Sequence, residues 1–409
     1  MPHVVAGLAT GESIVVPDQM LKNMGITVVH DEAAQIDRKA KTVLSLEGKV
    51  FPYDKLFLAT GSRSFIPPME GHDLDGVLSL RGLPDAEKIR QYVSTQQCRN
   101  IVFIGAGFIS MEIASLLAET TPDSYSISVI ELMDRPLPLM LDKDMADSVQ
   151  EYLEEKGLVF YTGKQVEKIV GENGKVTGVQ LLSGEIIQAD VVFMNVGVRP
   201  NIELAADIGL EIGKFGIKVN TFQETSDPDI MAGGDCVEKF NFITGKPTGG
   251  QLRGPAVMQG RLAAKRLAGY AIEFPGVLDA GGCKMFDMTI TATGLSEEAA
   301  SREGIDTICS IVESRSKHGM IPGMKPWKIK LVFDKNSKKI IGGQIVSRAV
   351  APARHIDTVS AFILAGRTIA ELTTFTSACN PDISSEPSAE PITIAAEQAL
   401  HKLGPAAYR

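Results

Sequence analysis

The sequence predicts an α/β fold of two related nucleotide-binding modules, the first incomplete at its N-terminal end, followed by an α+β domain. Three observations carry this. Residues 101–131 run strand, glycine turn, helix, strand. Residues 43–68 and 179–200 repeat one pattern. From Phe274 onward, apolar strands mix with helices. At 409 residues the chain is long for a single core.

The first of these is Ile101-Val-Phe-Ile-Gly105-Ala-Gly107-Phe-Ile-Ser110-Met-Glu112. A short apolar strand meets two glycines, and an amphipathic helix continues to Glu119. Gly105 permits the tight turn, and Gly107 lets a pyrophosphate approach the backbone. The helix N-terminus offers free N–H groups and a positive dipole end. Ser110 replaces the third glycine and is still small enough for close helix–strand packing. The next strand, Ser126–Ile130, ends at Glu131, whose carboxylate can accept both ribose hydroxyls and repel the extra phosphate of NADPH. The expected ligand of this Rossmann-like unit is therefore NADH, although Arg135, four residues on, could blunt the preference. Alternating β and α elements continue from about Asn100 to Lys156.

The repeat is the second element. Both copies read strand, tight turn, strand, aspartate (Asp54, Asp190), buried strand and Gly-x-Arg (Gly61–Arg63, Gly197–Arg199). Such self-similarity suggests two copies of one nucleotide-binding unit. Counting back from Gly61 by the Gly105–Gly197 interval lands before Met1, so the first copy has no glycine turn of its own. Glu47-Gly48, Asn173-Gly174 and Ser183-Gly184 read as hairpin turns. Gly171–Lys175 mimics a phosphate loop, but Val176 stands where Ser or Thr is required, and a hairpin turn is the better reading.

In the third region, strands Lys328–Phe333 and Lys339–Val346 flank a turn at Asp334–Lys338. Lys325 and Lys328 around Trp327 read as a solvated strand edge. A Pro/Ser/Glu-rich stretch, Asn380–Pro391, is expected to be ordered and packed, since a last helix, Ile392–Leu403, follows it.

Composition narrows the function. Hydrophobic residues make up 44% and charged residues 22%, as in ordinary globular proteins. A formal charge of −9 argues against nucleic acid or an anionic membrane as partner. No apolar run is long enough to span a bilayer, and Met1 opens no signal-peptide pattern. Five scattered cysteines and six scattered histidines form no metal-binding spacing, which fits a reducing cytoplasm. Cys98 reads as a structural thiol.

With these residues in view, the chain resembles the pyridine nucleotide-disulfide oxidoreductases, flavoproteins that pass hydride from NAD(P)H to FAD. It is most similar to their coenzyme A-disulfide reductase, NADH oxidase and NADH peroxidase branch. The resemblance implies an FAD domain at 1–75 and 196–273, an NAD domain at 76–195 and a dimerisation domain at 274–409. Ala59-Thr60-Gly61 matches the family's strand-end turn, and Asp229-Ile-Met-Ala-Gly233-Gly234-Asp235 its second FAD motif, where the aspartate bonds the ribityl chain. Ala256–Leu267 resembles the helix facing the flavin's pyrimidine end, where its dipole stabilises negative charge on the reduced ring. Glu32-Ala33 falls where adenine is contacted. Gly197 joins the NAD contacts, and the nicotinamide is expected near Glu112, stacked on the flavin.

Three departures from the family stand out. The first FAD glycine fingerprint is absent, a span of about forty residues. The branch's redox cysteine would precede Met1-Pro2-His3. The family's His-Pro acid/base is Cys379-Asn380-Pro381 here, and asparagine moves no proton at neutral pH. Cys379 is the one candidate redox thiol in a suitable segment, otherwise an ordinary buried cysteine. Two readings follow. One is a homodimeric FAD-dependent NADH oxidoreductase acting on a disulfide, sulfur, oxygen or small redox-protein acceptor. The other is a non-catalytic NAD-binding or dimerising remnant. For these 409 residues alone, weak or absent FAD binding is expected.

Overall fold

The computed structural model describes residues 1–94 and 98–408. It divides into two compact units: 1–8, 66–196 and 278–409 form the first, 9–65 and 197–277 the second.

The first unit holds a five-stranded parallel sheet. Its strands are β1 (Val77–Leu78), β2 (Asn100–Ile104), β3 (Ser126–Glu131), β4 (Leu158–Thr162) and β5 (Val191–Met194), in the order β1-β5-β2-β3-β4. Apolar runs such as Ile101–Ile104 and Val191–Met194 are buried throughout, as a sheet covered on both faces requires. Phe103 and Phe193, paired across β2 and β5, stack at 4.5 Å. Helix α1 (Phe108–Thr120) follows β2 and buries Met111, Ile113, Ala114 and Leu117; α2 (Lys143–Glu155) follows β3. Strand order thus runs β2-β3-β4 to one side of β2 and turns to β5 on the other, so the switch point lies between β2 and β5.

The same unit contains an antiparallel sheet of β6 (Gly281–Met285), β7 (Met288–Gly294), β8 (Thr307–Arg315), β9 (Pro326–Asp334) and β10 (Ile340–Ser347), in the order β6-β7-β10-β9-β8. The expected hairpin is present as β9–β10. Lys325, just before β9, is exposed and Lys328 half-buried, so both are solvated as expected, but neither marks a sheet edge, because β9 lies inside the sheet between β8 and β10. Trp327 there is buried and stacks on His355 at 5.3 Å. The 380–391 stretch is held by hydrogen bonds, from His318 N–H to the Pro381 carbonyl and from Asn380 N–H to Ser384 Oγ. Most of its side chains are exposed; the packing expected of it is confined to its end, where Glu390 caps the last helix, Pro391–Leu403, and Pro391 is buried.

The second unit contains the first copy of the repeat. Its parallel ladder has two strands, Leu56–Leu58 beside Ile230–Ala232. The three expected hairpin turns are present, with Asn173 and Gly174 both at positive φ (52° and 79°), as a two-residue turn of this kind demands. The two copies meet at their ends: Ser62–Ser64 pairs antiparallel with Val198–Pro200, placing Arg63 directly opposite Arg199. Like charges opposed across strands repel. Here Arg63 is drawn to Glu203 and Asn201, each at 2.8 Å, while Arg199 lies over the Phe65 ring at 4.3 Å.

Candidate functional site

The glycine turn in the first unit has the form that its residues require. Gly105 has φ +93°, and a side chain there would approach the Asn195 carbonyl oxygen to 3.0 Å. Gly107, the residue before α1, faces open space, and no side chain caps the helix. Its first N–H groups are thus available to an anion. Ser110 is fully buried and its Oγ has no partner among the described residues, in keeping with a packing role.

Glu131, 9% exposed at the end of β3, accepts hydrogen bonds from Ala106 N–H (2.8 Å) and Met133 N–H (2.9 Å). Its carboxylate therefore ties the glycine turn to the neighbouring strand. A carboxylate has about four acceptor positions, so two remain for ribose hydroxyls. Arg135 is turned away from this edge. Its side chain is 6% exposed, donating to the Leu141 carbonyl at 2.9 Å and pairing with Asp134 and Glu298. It is committed to structure, so the expectation that it could blunt NADH preference does not hold. Glu112 on α1 is half-buried; burial raises its proton affinity, tempered by His3 and the N-terminal ammonium. These features fit a dinucleotide.

A charged cluster fixes the loop after β3. Lys330, with a wholly buried side chain on β9, lies 3.1 Å from Asp142 and 2.8 Å from Asp144 and Glu297. Burial works against the charge of Lys330, but these carboxylates outweigh it and hold its affinity for protons above the usual lysine range. Asp142 also receives N–H bonds from Glu297 and Glu298 and the Gln344 amide. Burial would raise its pKa; those bonds and Lys330 hold it below the ordinary carboxylate value.

In the second unit, Thr60 and Gly61 (φ +67°) form a turn clasped by Asn201. Thr60 Oγ1 donates to the Asn201 carbonyl (2.6 Å), and Asn201 Nδ2 donates to the Thr60 carbonyl (2.8 Å). Gly234 has φ +85°, its N–H donating to buried Gln259 (3.0 Å), and Asp235 accepts from Ser62 Oγ (3.0 Å). Lys239, also buried, donates to the carbonyls of Gly234 (2.7 Å) and Gly249 (3.0 Å). Ala256 lies in the helix Arg253–Leu267, which starts three residues earlier than expected and has no side-chain cap. Ala33 is exposed on the strand Ala33–Asp37. Gly197 falls in this unit, where its carbonyl accepts from Phe65 N–H. The Gly234–Asp235 turn and the uncapped helix fit the ribityl and ring end of FAD. Among the described residues of this unit, neither strand of the parallel ladder runs through a glycine turn into an α-helix.

Sequence reasoning missed Asn201, Ser62, Gln259 and Lys239. Ser62 and Asn201 carried a signal, each lying one residue beyond a matched repeat position. The thiols divide sharply. Burial pushes Cys98 up to about 11 and Cys283 and Cys309 to about 12, so none is a thiolate at neutral pH. Cys379 is exposed rather than buried, its thiol donating to the Ser377 carbonyl at 3.3 Å. All five cysteines are unpaired, and no helix among the described residues is long and apolar enough to cross a membrane.

Comparison with known proteins matches this geometry. The pyridine nucleotide-disulphide oxidoreductase family model covers residues 4–260, and that family's dimerisation domain covers 281–390. A NADH oxidase of Methanocaldococcus jannaschii is 36% identical over 98% of this chain and 90% of its own. An NAD(P)H sulfur oxidoreductase (CoA-dependent) of Pyrococcus furiosus is 32% identical over 90% of this chain and 83% of its own. Among solved structures, an NAD-dependent persulfide reductase from A. fulgidus superposes with TM-score 0.92 at 35% identity, covering 98% of this chain and 75% of that one. The chain belongs to the pyridine nucleotide-disulphide oxidoreductases.

Proposed function

We propose that the chain takes hydride from NADH, through FAD, to a small sulfur acceptor of the disulfide or persulfide class, as a cytoplasmic homodimer. The observation that carries the NADH half is the complete β2–α1–β3 turn with Glu131 at its edge and Arg135 committed elsewhere. Gly105, Gly107 and the start of α1 bind the pyrophosphate, and Glu131 accepts the adenosine ribose hydroxyls. Half-buried Glu112, its proton held more tightly than usual, is placed on the helix that begins at the pyrophosphate site. Asp235, oriented by Ser62, holds the ribityl hydroxyls, and the Arg253–Leu267 helix N-terminus faces negative charge. FAD, when bound, supplies a two-electron relay between nicotinamide and acceptor.

The sulfur acceptor is supported by the P. furiosus and A. fulgidus relatives; the M. jannaschii relative favours dioxygen as a second reading. Nothing in these relatives favours a non-catalytic remnant. Initial rates of NADH oxidation by the FAD-loaded protein with coenzyme A disulfide, a persulfide or dioxygen as acceptor decide between them. Turnover with a sulfur acceptor well above that with dioxygen is expected. Turnover with dioxygen alone would establish the second reading, and no turnover with any acceptor would overturn both.

A further inference from the structure

The switch point of the parallel sheet holds a side chain that nothing above has used. Met194 pairs with Ile104 at the end of the β5–β2 ladder, which puts Asn195 across from Gly105, the first glycine of the turn. The Asn195 N–H donates to the Ile104 carbonyl at 3.3 Å, fixing the backbone there. Its side-chain Oδ1 accepts from Leu80 N–H at 3.2 Å. That bond settles which way the amide points, because an N–H can meet only the oxygen end. The other end, Nδ2, is buried and has no acceptor among the described residues. An unpaired amide donor in such a place is costly, so it calls for an acceptor that arrives with a ligand.

In open α/β sheets the dinucleotide lies across the carboxyl ends of the strands at the switch point. Glu131, on the β3 side of β2, marks the adenosine end. Asn195 stands on the opposite side of β2, towards which the nicotinamide half must run. We propose that Asn195 is a positioning residue whose Nδ2 donates to the nicotinamide-side half of NADH, at the distal phosphate or its ribose. It would be the counterpart of Glu131 at the other end of the cofactor. This rests on the NADH site assigned above.

The test is calorimetric titration of the full chain with NADH, ADP-ribose and 5′-AMP, none of which requires turnover. Asn195→Asp keeps the acceptor for Leu80 N–H and replaces the donor with an anionic oxygen. Asn195→Ala removes the donor without adding charge, and with it the acceptor for Leu80 N–H. Both variants are expected to weaken NADH and ADP-ribose about tenfold or more, while 5′-AMP, which stops short of that half, changes by no more than about threefold. Unchanged NADH binding in both variants would overturn the proposal. Equal losses for all three ligands, with a lowered melting temperature, would overturn it too, by showing that Asn195 only shapes the Gly105 turn. If the unsubstituted chain failed to bind NADH, the functional reading itself would fall, and this inference with it.

Discussion

The two units each carry most of a copy of one sequence pattern, yet they set it among different features. In the first, residues 179–196 of the second copy run into a five-stranded parallel sheet with a glycine turn, an uncapped helix and an acidic strand end. In the second, residues 43–65 of the first copy run into a two-stranded parallel ladder, and the unit also holds Asp235, its donor Ser62 and the uncapped helix Arg253–Leu267. The hairpin and the Gly-x-Arg turn recur in both because local chemistry specifies them. The units also differ in how charge holds them. Lys330 is buried among three carboxylates in the first, whereas Lys41 and Lys55 pair with Asp229 in the second with all three side chains partly exposed.

That contrast in burial gives the largest expected effect. Lys330→Met leaves Asp142 without its buried cation and is expected to destabilise the first unit by about 3 kcal/mol, whereas Lys55→Met changes stability by less than about 1 kcal/mol. Hydrogen exchange resolved by unit checks both. Since the pKa of Asp142 is depressed, its contribution is present above the ordinary aspartate range and is lost as pH falls through its lowered value. Lys330, raised, contributes below the ordinary lysine range and loses its contribution only at strongly alkaline pH. Asp229 in the second unit, held down to about 2 by Lys41 and Lys55, titrates with the same sign, but its pairs are partly exposed and water replaces them, so the first unit is expected to open before the second on acidification. Simultaneous opening of both units would break the comparison.

The glycine turn gives the next. Gly105→Val forces a β-branched residue to φ +93° with its side chain against the Asn195 carbonyl. A loss of NADH affinity of about a hundredfold is expected, from about 1–3 kcal/mol of backbone strain and the displaced pyrophosphate contact. Uptake of added FAD, weak as it is expected to be, should be unchanged, and its loss would show that the two sites are not separately built. Glu131→Gln comes third. It keeps one acceptor for Ala106 N–H but removes the charge, so NADH should weaken about tenfold while NADPH weakens less or gains. An unchanged Michaelis constant for NADH would remove Glu131 from the ribose site.

Much of this was legible in the sequence because it is local. The β2–α1–β3 turn, the hairpins at Gly48, Gly174 and Gly184, and the repeat ending in Gly61 and Gly197 are all set by residues a few positions apart. What could not be read depends on partners far along the chain. Arg135 is taken up by Glu298, and Lys330 by Asp142, so neither commitment has a local signal. From the sequence alone Trp327 reads as lying at an edge, because the partner strand β8 is distant and its local signal weak. Its alternation from Thr307 to Val312, with Ile308, Ser310 and Val312 buried, was the signal available.

The smallest expected effect concerns the place where the two copies meet. Asn201 clasps the Thr60 turn through two hydrogen bonds and also receives the Arg63 guanidinium, so it sets the first copy's Gly-x-Arg strand against the second's. In Asn201→Ala the backbone carbonyl of residue 201 remains to accept from Thr60, but the Thr60 carbonyl and Arg63 each lose a partner. Both are partly exposed and water can replace the amide, so the loss should be about 1 kcal/mol, spread over the turn that leads to Ser62 and Asp235. Flavin affinity is expected to fall about three- to fivefold, read by equilibrium dialysis against free FAD, with NADH affinity unchanged. If NADH affinity fell equally, the clasp would be shaping the first unit's site as well, and the repeat would be one coupled structure rather than two copies joined at their ends.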